Sequence, residues 1–263
     1  MSSTELSVTI PAYNEADRLP RFLDQLVQHA PAAGTPAVEL LVVDDGSAPE
    51  HAEAMRLAVE RSAAELAVRP GGHRLALLTL PHNGGKGGAI RAGWAACASE
   101  APWLGFLDAD GAISAREFWR LAHMLGEVAT EADVLAGSRI PLAGRDVARA
   151  PSRRMLGRTF RSVVEQFFRV GFYDTQCGVK FFRADLLRPL LPGLREERWL
   201  LDVELLAALK QHGARFHEEP INWADPGGSK VKFWPDSVQV LLGLWKLRQR
   251  MAGAARNQAL RAA

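Results

Sequence analysis

Cysteine is nearly absent: Cys97 and Cys177 are the only two in 263 residues. Two thiols build neither a disulfide framework nor a thiolate zinc site, and such sparing use suits a reducing compartment. Long apolar runs are also missing, since nowhere do the roughly 18 consecutive apolar residues of a membrane span occur. The opening MSSTELSVTIPAYNE has neither the basic stretch nor the apolar stretch of a secretory signal. The expectation is a cytoplasmic chain that does not cross a bilayer. Neither sign of charge dominates: 32 Lys+Arg stand against 30 Asp+Glu, a net +2. That balance argues against a nucleic-acid partner recruited by bulk charge. No repeat or low-complexity tract interrupts the chain, and 48% hydrophobic with 24% charged residues is the composition of a globular domain with a full core.

What the sequence does have is alternation. Leu6 to Ile10 is a short apolar run closed by Pro11, as a buried strand would be. Leu19, Phe22, Leu23, Leu26 and Val27 then recur at three and four residues, one stripe of a helix. Val38 to Val43 is a second apolar run, completing a βαβ unit with parallel strands. Further strands are expected over 74–80, 103–107 and 134–136, with a glycine-rich loop over 82–88 and a small-residue helix to about residue 98. Beyond residue 150 the pattern predicts a basic helix over 152–170, a strand over 179–182, a helix over 200–211, a strand over 216–223 and a last helix from about Pro235. The fold class is α/β, a mostly parallel sheet with helices on both faces in a single domain.

Polar clusters follow the carboxyl ends of these strands, where open α/β sheets bind ligands. Asp108-Ala109-Asp110 is the most informative: two carboxylates on alternate residues leaving a buried strand suit a hard divalent cation, Mg²⁺ or Mn²⁺. As an isolated triplet it reads equally as a helix-capping loop. Asp44-Asp45-Gly46-Ser47 offers carboxylates to a base N–H or a ribose hydroxyl, or simply forms an Asx turn. Asn83-Gly84-Gly85-Lys86-Gly87-Gly88 would let backbone approach an anion at a helix N-terminus, with Lys86 alongside. Arg139, Arg153 and Arg154 have forks suited to phosphate oxygens, although each taken singly reads as a solvated surface residue. Composition does not rank Asp174, Gln176, Asp202, Glu204, Ser229 and Lys230.

Together IPAYNE (10–15), VVDDGS (42–47), NGGKGGAIRAG (83–93), LDADGA (107–112) and GSR (137–139) resemble the family 2 inverting glycosyltransferases of the GT-A fold. DTQCGVKFF (174–182), ERWLLDVELL (197–206) and INW followed by GGSKV (221–231) are similar to the dolichyl/polyprenyl-phosphate β-glucosyltransferase branch. The resemblance implies a metal-dependent hexosyltransferase with a nucleotide-sugar half over 1–112, an acceptor half over 113–233 and a C-terminal amphipathic helix and tail over 234–263. It places Pro11, Ala12, Tyr13, Glu15, Asp44, Asp45, Lys86, Asp108, Ala109 and Asp110 around a UDP-sugar, with Asp108 and Asp110 on the metal. Arg139, Arg153, Arg154, Gln176, Ser229 and Lys230 fall to the diphosphate or acceptor, and Asp202, with Asp110, to catalysis. Glucose is the expected sugar and polyprenyl phosphate the expected acceptor. The alternatives are a soluble transferase to a hydroxyl of a sugar, lipid or natural product, and an inactive nucleotide-sugar-binding protein.

The last helix carries its own expectation. From Asp236 to Met251, Val238, Val240, Leu241, Leu242, Leu244, Trp245, Leu247 and Met251 project onto a broad apolar arc, with Lys246 and Arg250 opposite and Arg248 inside the arc. Such a helix suits peripheral contact with the inner face of a membrane, or burial against the core.

Overall fold

The computed structural model describes residues 4–98, 100–148, 151–225 and 241–253. Strands β1 (Leu6–Ala12), β2 (Val38–Asp44), β3 (Arg74–Thr79), β4 (Trp103–Leu107), β5 (Val134–Ser138), β7 (Val179–Arg183) and β8 (Phe216–Pro220) form one seven-stranded sheet in the order β3-β2-β1-β4-β7-β5-β8. Two-residue strands β6 (Val147–Ala148) and β9 (Trp223–Ala224) pair separately. Neighbours pair in parallel except around β7, which runs antiparallel to both β4 and β5. The carboxyl ends of the other strands therefore share one edge with the amino end of β7.

Each face of the sheet has its own core. Helices α1 (Leu19–Gln28), α2 (Pro49–Ala67) and α4 (Ala115–Val128) cover one face, where Leu23, Met55 and Phe118 pack on Val8, Ile10, Val42 and Phe181. The other face carries α3 (Gly85–Ala96), α7 (Leu201–Gln211) and the C-terminal helix seen over 241–253; Trp94, Val203, Leu244 and Leu247 pack there with Phe106 and Phe182. Helices α5 (Pro151–Phe168) and α6 (Ala184–Leu187) complete that side. Burial on both faces explains why the strands read as continuous apolar runs rather than alternating ones. Helices α2 and α4 are not marked by the strand spacing; α4 is signalled by Ser114, whose hydroxyl accepts the Glu117 N–H at its N-cap.

The small-residue composition of α3 has a direct cause. A Cβ at Gly93 would stand 2.3 Å from the Thr9 hydroxyl, so the helix lies directly against β1. Only a glycine permits that approach.

Candidate active site

The sheet edge collects four strand ends. At β1 and β2, Asn14 adopts a left-handed φ of 53°, and its side chain accepts the Ala48 N–H at 2.9 Å while its own N–H donates to Ser47 Oγ at 2.9 Å. The two loops are thereby clamped together. Asp44 accepts the Ser47 N–H at 3.0 Å, the Asx turn anticipated for it. Asp45 is nearly fully buried and accepts the Gly84 N–H at 2.7 Å, joining β2 to the glycine run; burial pushes its carboxyl pKa up. Glu15 forms a two-point pair with Arg18. Tyr13 is 42% exposed above this corner, and Pro11 pairs with Val43 within the sheet.

At the end of β4, Asp108 and Asp110 leave the strand around buried Ala109. Asp108 pairs with the Lys86 ammonium at 2.6 Å. Burial alone would lower the pKa of Lys86, but Asp108, Asp202 and Asp110 outweigh it and hold the ammonium above its ordinary value. Asp110 accepts the Ala112 N–H at 3.0 Å, and burial together with the charge of Asp108 raises its pKa. Just before β7, the Gly178 carbonyl accepts the Asp108 N–H at 2.8 Å, and a Cβ on Gly178 would meet the Asp108 carboxylate at 2.3 Å.

The glycine run differs from its sequence reading. Helix α3 begins at Gly85, inside the run, and the Gly87 and Gly88 amides donate to the Glu197 carbonyl at 2.8 and 3.1 Å. The first-turn donors that would have met a phosphate are taken by a protein carbonyl. Of that run, Lys86 is the group left facing the carboxylates.

Against this geometry the comparisons are decisive. The model of Glycos_transf_2, described as glycosyl transferase family 2, matches residues 7–188. The chain belongs to glycosyl transferase family 2. This family 2 chain is 34% identical over 93% of its length to the dolichyl-phosphate beta-glucosyltransferase of Drosophila melanogaster, covering 78% of that protein. It is 31% identical over 93% of its length to the human protein of that description, again covering 78% of it. Among solved structures, glucosyl-3-phosphoglycerate synthase from Mycobacterium tuberculosis in complex with UDP superimposes with a TM-score of 0.64 at 17% identity, over 94% of this chain and 81% of that one. The mannosyltransferase PcManGT from Pyrobaculum calidifontis, in complex with GDP-Man and Mn²⁺, gives 0.58 at 19% identity, over 96% and 64%. The fold is thus the one the motifs implied.

The β5 and β7 side of this family 2 site is held by charge pairs that the sequence does not announce. Arg139 turns its fork on Asp174, with bonds of 2.6 and 2.7 Å and a backbone bond of 2.9 Å. Glu218 accepts the Asp174 N–H and the Ser138 hydroxyl. Burial would raise Asp174, but Arg139 reverses it and holds that carboxyl below the usual range. Gln176 sits beside them, its buried side-chain amide nitrogen lacking a protein partner among the described residues. Asp202, 5% exposed on α7, accepts from Lys180 at 2.6 Å. Arg153 and Arg154 fall in the first turn of α5, and Ser229 and Lys230 lie outside the described residues.

The donor set at Asp108 and Asp110 fits a divalent cation. Two carboxylates on alternate residues, one with its pKa raised by burial and by the other's charge, favour an added cation and leave further positions for phosphate oxygens. No cluster of three or more His, Cys, Asp or Glu suited to a metal occurs among the described residues.

Proposed function

We propose that this chain transfers a glucosyl unit from UDP-glucose to a polyprenyl phosphate with inversion at the anomeric carbon. The observation that carries the reading is the gathering of Asp45, Lys86, Asp108 and Asp110 at one sheet edge. It is supported by a chain-long likeness to proteins named dolichyl-phosphate beta-glucosyltransferase. Neighbours solved with UDP, or with UDP and Mn²⁺, have the same fold.

In this reading Asp45 and Tyr13 receive the base, and Asp108 and Asp110 hold Mg²⁺ or Mn²⁺. When bound, that ion supplies neutralisation of the charge growing on the departing diphosphate. Lys86 changes partner, leaving Asp108 for a diphosphate oxygen. The bond from anomeric carbon to diphosphate oxygen breaks as an acceptor phosphate oxygen attacks from the opposite face. A phosphate monoester has a second pKa of about 6 and is largely dianionic at neutral pH, so it needs no proton removed. Asp202 is therefore not needed as a base for this acceptor and, both groups being anions that only accept hydrogen bonds, orients it through a shared donor such as water; a hydroxyl acceptor would require Asp202 to act as a base.

The test is transfer of labelled glucose from UDP-glucose in Mn²⁺ to a short-chain polyprenyl phosphate. Organic-extractable label is expected with the phosphorylated lipid and not with the corresponding alcohol. Label on the alcohol alone would move the protein to the hydroxyl-directed alternative.

The C-terminal helix supports contact with a membrane surface. No helix among the described residues is long and apolar enough to cross a bilayer. Leu244 and Leu247 are fully buried, whereas Leu241, Leu242 and Trp245 remain about half exposed. The buried pair covers one stripe, which is the core-packing alternative realised in part; the other stripe stays open beside exposed Lys246. Arg250 does not face outward as the helical projection placed it: it donates to Glu196 at 2.7 Å and Glu204 at 2.8 Å, fixing the helix to the protein. Arg248 lies over the Phe167 ring at 5.3 Å, joining the helix to α5. Sedimentation with anionic liposomes should carry the protein down, and Leu241→Ser with Trp245→Ser should release it without lowering Tm. Unchanged co-sedimentation of that variant would remove this face from the account.

A further inference from the structure

A lysine stands at the centre of the sheet. Lys180 lies on β7 opposite Phe106 of β4 and Ala136 of β5, and it is fully buried. Its neighbours on that face, Phe106, Phe182, Trp94 and Val203, are apolar. A charge placed there is costly unless fully partnered. Among the described residues it donates to the Cys177 carbonyl at 2.7 Å and to Asp202 Oδ1 at 2.6 Å.

Those two bonds reach both halves of the site. Asp202 belongs to α7 on the acceptor side. Cys177 precedes Gly178, the residue pressed against the Asp108 carboxylate. On the ring of Phe106 the ammonium groups of Lys86 and Lys180 each sit 5.1 Å from the centroid. Lys86 pairs with Asp108 and Lys180 with Asp202, so two ion pairs share one aromatic ring, and Asp202 also acts on Lys86 through its charge.

We infer that Lys180 is a positioning residue: its ammonium fixes the Asp202 carboxylate relative to the Asp108 end of β4 and so sets the acceptor against the sugar donor. Lys180 makes no contact with substrate in this account; it acts through Asp202. The inference rests on the reading of Asp202 as the acceptor-side carboxylate. A buried carboxylate without such a tether would be held by packing alone, and displacement of about 1 Å can cost roughly 100-fold in rate. An ammonium is a compact point donor, and a guanidinium fork reaching from the same Cα would place the carboxylate differently.

The experiment compares Lys180→Met, Asp202→Asn and the double variant, each checked for folding at the assay temperature. Lys180→Met is expected to lower kcat roughly 100-fold with the donor KM unchanged, and to lower Tm because Asp202 is left as an uncompensated buried charge. The double variant removes both charges; its Tm should return towards the native value while its kcat stays at that of Asp202→Asn. A purely structural lysine would instead leave kcat near native in Lys180→Met wherever the protein is folded, and that result would overturn the inference. So would a double variant whose two losses multiply, since the residues would then act independently. If Lys180→Met does not fold, Lys180→Arg decides: it keeps the charge, and native kcat in that variant would equally overturn the positioning role. Full activity of Asp202→Asn alone would instead mark failure of the underlying reading of Asp202.

Discussion

Asp110→Asn is expected to abolish turnover, by about 100-fold or more, while making the metal-free protein more stable at neutral pH. The two effects come from one cause. Burial and the neighbouring Asp108 raise the Asp110 pKa above its ordinary 3.8, so the folded state binds that proton more tightly than the unfolded chain does. Stability from the protonated form is complete below 3.8 and is lost as pH rises through the folded value. At neutral pH the ionised carboxylate therefore works against folding, and an amide relieves it. Tm in EDTA should exceed that of the parent at pH 7 and converge with it below pH 4, while labelled glucose transfer disappears. A lower Tm at pH 7 would mean that the bond to Ala112 outweighs the charge repulsion, contrary to this account.

Arg139→Leu should have the largest effect on stability. Arg139 holds Asp174 by three bonds, two from its guanidinium fork and one from its backbone N–H, and the side chains of both partners are almost out of solvent. Removing one partner of a buried pair leaves an uncompensated charge and costs about 3–5 kcal/mol. For a chain of this size that is a fall in Tm of roughly 10 °C. Arg139 lowers the folded pKa of Asp174, so the stabilisation is present above the ordinary 3.8 and is lost as pH falls through the folded value. The variant's deficit should accordingly be greatest at neutral pH and shrink in acid. Calorimetric unfolding at the two pH values measures it, and Arg139→Leu with Asp174→Asn should recover much of the loss. An unchanged Tm with a raised acceptor KM would instead assign Arg139 to phosphate, the role its resemblance implied.

The β1, β2 and β4 ends of the site were legible because their signals are local. An apolar run followed at once by carboxylates marks both Asp45 and Asp108 as strand-end residues, and parallel strands bring such ends to one edge. The β5 and β7 side was less legible because its signals are long-range. Lys180 sits inside VKFF, where the surrounding apolar residues foretell burial but nothing nearby foretells Asp202, twenty-two residues on. Nor does local pattern show that β7 runs against its neighbours, which delivers 174–178 to the site. The glycine run misleads for the same reason. Its composition does reflect close backbone approach, but the approaching group is the Glu197 carbonyl, contributed by a segment more than a hundred residues away. Asn14, within a motif that stands out by eye, is explained only once its left-handed backbone and its clamp on Ser47 and Ala48 are seen.

The buried ammonium also bears on how faithfully the chain finds its own pairing. Along β7, Val179 and Phe181 belong to one core and Lys180 and Phe182 to the other. A one-residue slip against β4 would turn the whole strand over. Val179, Phe181 and Phe182 would exchange cores at modest cost, because both faces are apolar. Lys180 would not: it would be driven among Val8, Phe118 and Ile221 without a carboxylate, while Asp202 was stranded across the sheet. A strand of four hydrophobes could misalign silently. With one lysine in it, the antiparallel insertion carries its own proofreading, and the aligned sheet is the arrangement in which both buried charges are answered.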